Sequence, residues 1–135
     1  EAQNMVETVT KKLLNNYGLK TLAKGEPNYV DIYEGDAFKR DMSYHQGITW
    51  TWLLELYYEA LKNMVKFEKR KTYKTKLETK LKDFVEKEKQ VFEKEINQRG
   101  CVGSISEIYD STKPYEPKGA IAQAWSVGAI CTMIL

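Results

Sequence analysis

Apolar residues at Trp50, Leu53, Leu54, Tyr57, Leu61, Met64 and Val65 recur at offsets of three and four along the chain. A helix of about 3.6 residues per turn puts such a set on one face. The stretch from about Ile48 to Phe67 is therefore predicted helical, with that face turned to a core. Three more stretches follow the same logic. From about Asn4 to Tyr17, Met5, Val6, Val9, Leu13 and Leu14 share a face, and Gly18 is a natural stop. From about Thr72 to Gln98, Leu77, Leu81, Phe84, Val85, Val91, Phe92 and Ile96 form a stripe. Glu78 with Lys82 and Asp83 with Lys87 stand in the favourable i, i+4 order. From about Ala120 to the end, Ile121, Ala124, Trp125, Val127 and Ile130 are apolar.

Two irregular segments separate these helices, Gly18 to Gly47 and Gly100 to Gly119. Loops of that length in a compact helical protein usually carry function. Within the second, SISEIY alternates in polarity and is expected to form a short strand. The order helix, loop, helix, helix, loop, helix reads as all-α over 1–135, as one domain or one piece of a larger domain. The closing AQAWSVGAICTMIL is apolar and ends without a stop signal, which is expected of a helix that packs against further chain.

Charge and cysteine content narrow the function classes. The formal net charge is +2 over 135 residues, too small a field to steer nucleic acid or an anionic membrane. Six Lys or Arg fall between Lys66 and Lys76, but Glu68 interrupts them and acids lace the following helix, so a solvated corner is expected. No apolar run approaches the roughly 18 residues of a membrane span. Cys101 and Cys131 lack metal-ligand spacing, and His45 is the only histidine. Two free thiols in a reducing compartment are expected, with a disulfide as the other option. Neither a metal nor a cofactor is implied.

The stretch RDMSYHQGITWTW places Arg40, Asp41, Tyr44, His45, Gln46, Trp50 and Trp52 close together. Sugars need this mixture, because their hydroxyls take hydrogen bonds while their C–H faces stack on aromatic rings. The plainer alternative makes Trp50 a core residue of the helical face and His45 a loop histidine. Trp52 lies off that face and fits a site or a second packing surface. In SISEIYDSTKPYEPKG, Glu107, Asp110 and Glu116 lie within ten residues of one another. Glycoside hydrolysis uses two carboxyl groups, one as acid and one as base or nucleophile. Solvated loop acids are the competing reading. Gln123 and Trp125 open an otherwise small and apolar helix, where a glutamine needs a partner.

These residues carry a family resemblance. GLKTLAKGEPNYVDIYEGDAFKRDMSYHQGITWTWLLELYYEA and GSISEIYDSTKPYEPKGAIAQAWSVGAI resemble, in order and spacing, the C-terminal catalytic domain of glycogen debranching enzymes. The resemblance implies part of an (α/α)6 toroid with active-site loops at its mouth. It implies inverting hydrolysis of the α-1,6-linked glucose at a glycogen branch point, in the cytoplasm. Arg40, Tyr44, His45, Gln46, Trp50, Trp52, Gln123 and Trp125 would bind substrate. Glu107 would be the general base, with Asp110 the next candidate. Thr51, Tyr115 and Lys118 stand where the family usually has Pro, His and Arg; Lys118 keeps the charge but not the bidentate geometry. The TWMDA motif that supplies the family's general acid does not occur in the chain. The expectation is therefore a C-terminal part of the domain, inactive alone, whose partners are branched α-glucan, the rest of the toroid and, for the isolated piece, a second copy. A non-catalytic glucan-binding or helical interaction module is the alternative.

Overall fold

A computed structural model describes residues 1–135. The chain forms five helices and a small sheet: α1 (Ala2–Lys12), β1 (Leu19–Lys20), α2 (Ala37–Ser43), β2 (Thr49–Trp50), α3 (Leu53–Phe67), α4 (Lys71–Gln98), β3 (Ile108–Tyr109), β4 (Pro117–Lys118) and α5 (Ala124–Ile134). The sheet is antiparallel in the order β1-β2-β3-β4, with Trp50 opposite both Leu19 and Ile108, and Ile108 opposite Lys118. The chain is thus mostly helical rather than all-α. Both irregular segments contain extended stretches, β1 in the first and β3 and β4 in the second, and β2 lies between them and pairs with both β1 and β3.

Helix α3 is central and packs against α1, α4 and α5. Its face contributes Leu54, Tyr57 and Leu61 to a core shared with Val6, Phe84, Phe92, Ile130 and Met133. A second small core forms where Ile48, Trp50 and Ile108 meet beneath the sheet.

Several boundaries differ from the sequence expectation. Helix α1 stops at Lys12 rather than Tyr17, because the Asn15 side chain accepts from the Tyr17 amide at 2.9 Å and the Asn15 amide bonds the Gly18 carbonyl at 3.0 Å. Gly18 belongs to that reversal: a Cβ there would lie 2.2 Å from the Trp50 carbonyl oxygen. Helix α3 starts at Leu53, not Ile48. The run Ile48-Thr49-Trp50-Thr51 is β-branched and aromatic, and it is drawn into the middle of the sheet. Trp50 therefore leaves the helical face assigned to it. Helix α5 starts at Ala124 with Gln123 as its N-cap. The short α2 went unanticipated, although the Asp36 carboxylate caps it by accepting from the Lys39 amide at 2.9 Å.

Helix α4 agrees with expectation in extent but not in surface. The expected Glu78–Lys82 and Asp83–Lys87 pairs do not form, and Lys87 sits 3.6 Å from Glu88 instead. Glu88 and Glu95 continue the buried stripe of Leu77, Phe84 and Phe92. Cys101 and Cys131 are free thiols. Met5, Phe67, Ile121 and Trp125 are exposed, and Met5, Met64, Phe67, Tyr73 and Leu77 line a groove of about 530 Å³ beside α1. No helix is long and apolar enough to cross a membrane.

Glu88 makes stability depend on pH. Neither carboxylate oxygen has a hydrogen-bond partner, and burial, opposed only by Lys87, pushes its pKa up to about 7. An acid raised above its unfolded value of 4.5 binds more protons folded than unfolded. Its effect is absent below the unfolded value and grows as pH rises to the folded one, reaching a loss of about 3 kcal/mol. Thermal melts from pH 5 to pH 8 should show Glu88→Met gaining on the wild type as pH rises. A constant difference across that range would contradict the burial argument.

Candidate active site

The sheet gathers the groups that sequence separates. The turn after α2 brings Tyr44, His45 and Gln46 against β2. There the Trp50 indole N–H donates to the Tyr44 carbonyl at 3.0 Å. The Tyr44 ring meets Trp50 edge-on at 4.6 Å, and His45 stacks on Trp50 at 5.3 Å with 8° between planes. His45 nonetheless remains exposed. Gln46 ties the first irregular segment down through its backbone, its carbonyl accepting from the Val30 amide at 2.6 Å.

Glu107 immediately precedes β3. Its backbone N–H donates to the Ala120 carbonyl at 2.9 Å, and its Oε2 accepts from the Ala120 N–H at 3.0 Å. Oε1 lies 3.4 Å from the Gln123 amide nitrogen. The Tyr44 hydroxyl faces the same carboxylate. Burial first, then hydrogen bonding to Glu107 and its charge, raise the phenol pKa. Trp52, at the N-cap of α3, and Trp125, in the first turn of α5, form a tilted pair at 5.5 Å. Trp125 is 67% exposed, which leaves much of its ring free for stacking.

Asp110 follows β3 and has different work. It is 6% exposed, Oδ1 accepts from the Tyr33 amide at 2.8 Å, and Oδ2 lies 4.0 Å from Lys118 Nζ. Burial pushes its pKa up, while the Tyr33 amide and Lys118 oppose the shift. Glu116 is exposed. Arg40 turns away, with its guanidinium donating to the Gly35 carbonyl.

The three departures from the family pattern have local accounts. Thr51 is fully buried and donates from Oγ1 to the Tyr17 carbonyl at 2.8 Å, a bond that proline could not make. Lys118 serves Asp110. Tyr115 packs on Tyr17 at 5.7 Å with φ of 61°. Sequence reasoning missed Tyr33, whose ring packs on Tyr44 at 5.8 Å, and the Ala120 amide, which no side-chain motif could announce. No three His, Cys, Asp or Glu side chains converge as metal ligands do.

Among protein families, the one described as amylo-alpha-1,6-glucosidase matches residues 1–132. No curated protein matches the chain.

Asp110→Ala should free the Tyr33 segment. Removing a buried acceptor leaves the Tyr33 amide unpaired and should cost about 1–3 kcal/mol. Denaturant unfolding with amide exchange at Tyr33 measures this. Unchanged stability and unchanged protection of Tyr33 would show that Asp110 latches nothing.

Proposed function

The chain belongs to the amylo-alpha-1,6-glucosidase family, and on that premise we propose that it forms the base-bearing part of an inverting, debranching-type active site. The remainder of an (α/α)6 toroid would complete the pocket and carry the general acid. Glu107 would take a proton from water as that water attacks C1 of an α-1,6-linked glucose. The distant acid would protonate the departing oxygen. Branched α-glucan is the substrate, the cytoplasm its setting, and the isolated segment has no turnover of its own.

The observation that carries this reading is the way Glu107 is held. A general base must stand at a fixed place. Ala120 and Gln123 aim donors at its carboxylate, and the Tyr44 phenol lies near the same charge. A carboxylate offers about four lone-pair sites, so these two donors leave room for a water. Asp110, by contrast, is occupied on both oxygens with Tyr33 and Lys118, which favours a supporting role. Around the base, Trp52 and Trp125 suit sugar stacking, and His45 and Gln46 suit hydroxyls; Arg40, held at Gly35, contributes through the loop.

In the full-length protein, Glu107→Gln should lower kcat by about 10²–10⁴-fold with little change in KM. Asp110→Asn should be milder. Normal turnover in Glu107→Gln with an inactive Asp110→Asn would transfer the role of base to Asp110.

The exposed Trp125 also fits a module that holds glucan without cutting it. Tryptophan fluorescence titration of the 135-residue chain separates the two. An incomplete pocket predicts weak binding of maltooligosaccharide, with Kd on the order of 1 mM, whereas saturation near 1 μM would favour the binding module.

A further inference from the structure

We propose that Gly119 is a positioning residue for Glu107, and that the carboxylate occupies the space where any other residue would place its Cβ. The proposal rests on Glu107 being the base. Gly119 lies between β4 and α5 with φ of 70°. A Cβ built there would stand 2.4 Å from Glu107 Oε2, 3.2 Å from Glu107 Cβ and 3.0 Å from Ile108 Cγ1. Nonbonded carbon and oxygen do not approach to 2.4 Å, so something must yield.

The backbone is poorly placed to yield. Glu107 and Ala120 are joined by a 2.9 Å main-chain bond, and Ile108 is opposite Lys118 in the ladder. Ile108 is fully buried and in contact with Ile48 and Trp50. The carboxylate is the free end of a flexible side chain, so it is the part that moves. Moving Oε2 breaks the 3.0 Å bond from the Ala120 N–H. The same swing takes Oε1 from Gln123 and changes the charge that the nearby Tyr44 phenol feels. One methyl group at position 119 would therefore undo the whole set of donors.

Gly103 provides the control. Its φ is 88°, so it shares the left-handed backbone, but a Cβ there meets nothing within 4 Å. A substitution at Gly103 carries the backbone handicap alone. Asparagine tolerates left-handed φ better than other side chains, so Gly119→Asn keeps the backbone and fills the seat.

The test compares Gly119→Asn, Gly119→Ala, Gly103→Asn and Glu107→Gln. Turnover of branched glucan is measured in the full-length protein, and the ¹³Cζ resonance of Tyr44 in the 135-residue chain. Misplacing a reacting group by about 1 Å costs up to roughly 10²-fold, so Gly119→Asn should lower kcat by about 10–100-fold with KM within about threefold. Gly103→Asn should match the wild type. The Tyr44 resonance should move in both Gly119 variants and in Glu107→Gln, and stay fixed in Gly103→Asn. Gly119→Asn with the turnover of Gly103→Asn, or with an unmoved Tyr44 resonance, overturns the proposal. Full turnover in Glu107→Gln would remove the base assignment and the catalytic role of Gly119 with it, and the Tyr44 resonance would still decide whether Gly119 seats the carboxylate.

Discussion

A cluster of Tyr17, Glu95 and Tyr109, all buried, with the half-buried Arg99 joins the helical layer to the sheet, and the placement of the site follows from it. The Tyr109 hydroxyl donates to Glu95 Oε1 at 2.9 Å, and its ring stacks on Tyr17 at 4.5 Å. Arg99 donates to the Tyr17 hydroxyl and to the Tyr115 carbonyl at 3.0 Å, and stands 3.6 Å from Glu95. Four segments distant in sequence meet there: the turn after α1, the end of α4, strand β3 and the loop before β4. A buried carboxylate without donors would be strongly unfavourable. Glu95 thus forces Tyr109 to stay, and Tyr109 fixes β3. Glu107 is two residues away on the same strand segment.

This coupling explains how two-residue strands can hold the proposed base in place. Four such strands would not persist in water as an isolated sheet. Here β2 runs directly into α3, β3 is held by α4, and the segment after β4 ends at the N-cap of α5. The ribbon inherits rigidity from helices that the core already orders. The carboxylate then gains its donors from backbone and side chains of the next segment, Ala120 and Gln123. Asp110, on the far side of β3, holds the first irregular segment through Tyr33. The two acids have different partners: Asp110 latches a loop, and Glu107 is held by the segment that leads into α5.

The helices were legible because their period runs over many residues; the 28 residues of α4 fix it well. Of the sheet only β3 was, through the alternation of SISEIY; in β1, β2 and β4 two residues are too few for alternation to show. Trp50 illustrates the ambiguity: it matches the helical spacing of Leu53, Leu54 and Tyr57, yet it sits on β2, where Thr49 and Thr51 flank it. The buried acids of α4 were hidden for a similar reason, because Glu88 and Glu95 look like members of a solvated Lys/Glu face until their partners are known. Of the residues the motifs pointed to, Gln123 meets Glu107, Tyr44 and His45 pack on Trp50, and Trp52 pairs with Trp125. Arg40 does not, because the Gly35 carbonyl takes its guanidinium. What the motifs could not reveal were main-chain groups and a glycine, which act through where the backbone passes.

The central claim is that Glu107 rides on an ordered ribbon rather than a solvated loop. Native-state hydrogen exchange addresses it most directly. The Glu107 amide bonds the Ala120 carbonyl at 2.9 Å and the Asp110 amide bonds the Glu116 carbonyl at 3.0 Å. If α4 and the sheet form one cooperative unit, both amides exchange only through global opening, at the free energy of the α4 amides around Phe92. Exchange of Glu107 and Asp110 at rates near those of an unstructured peptide, while α4 stays protected, would contradict the account.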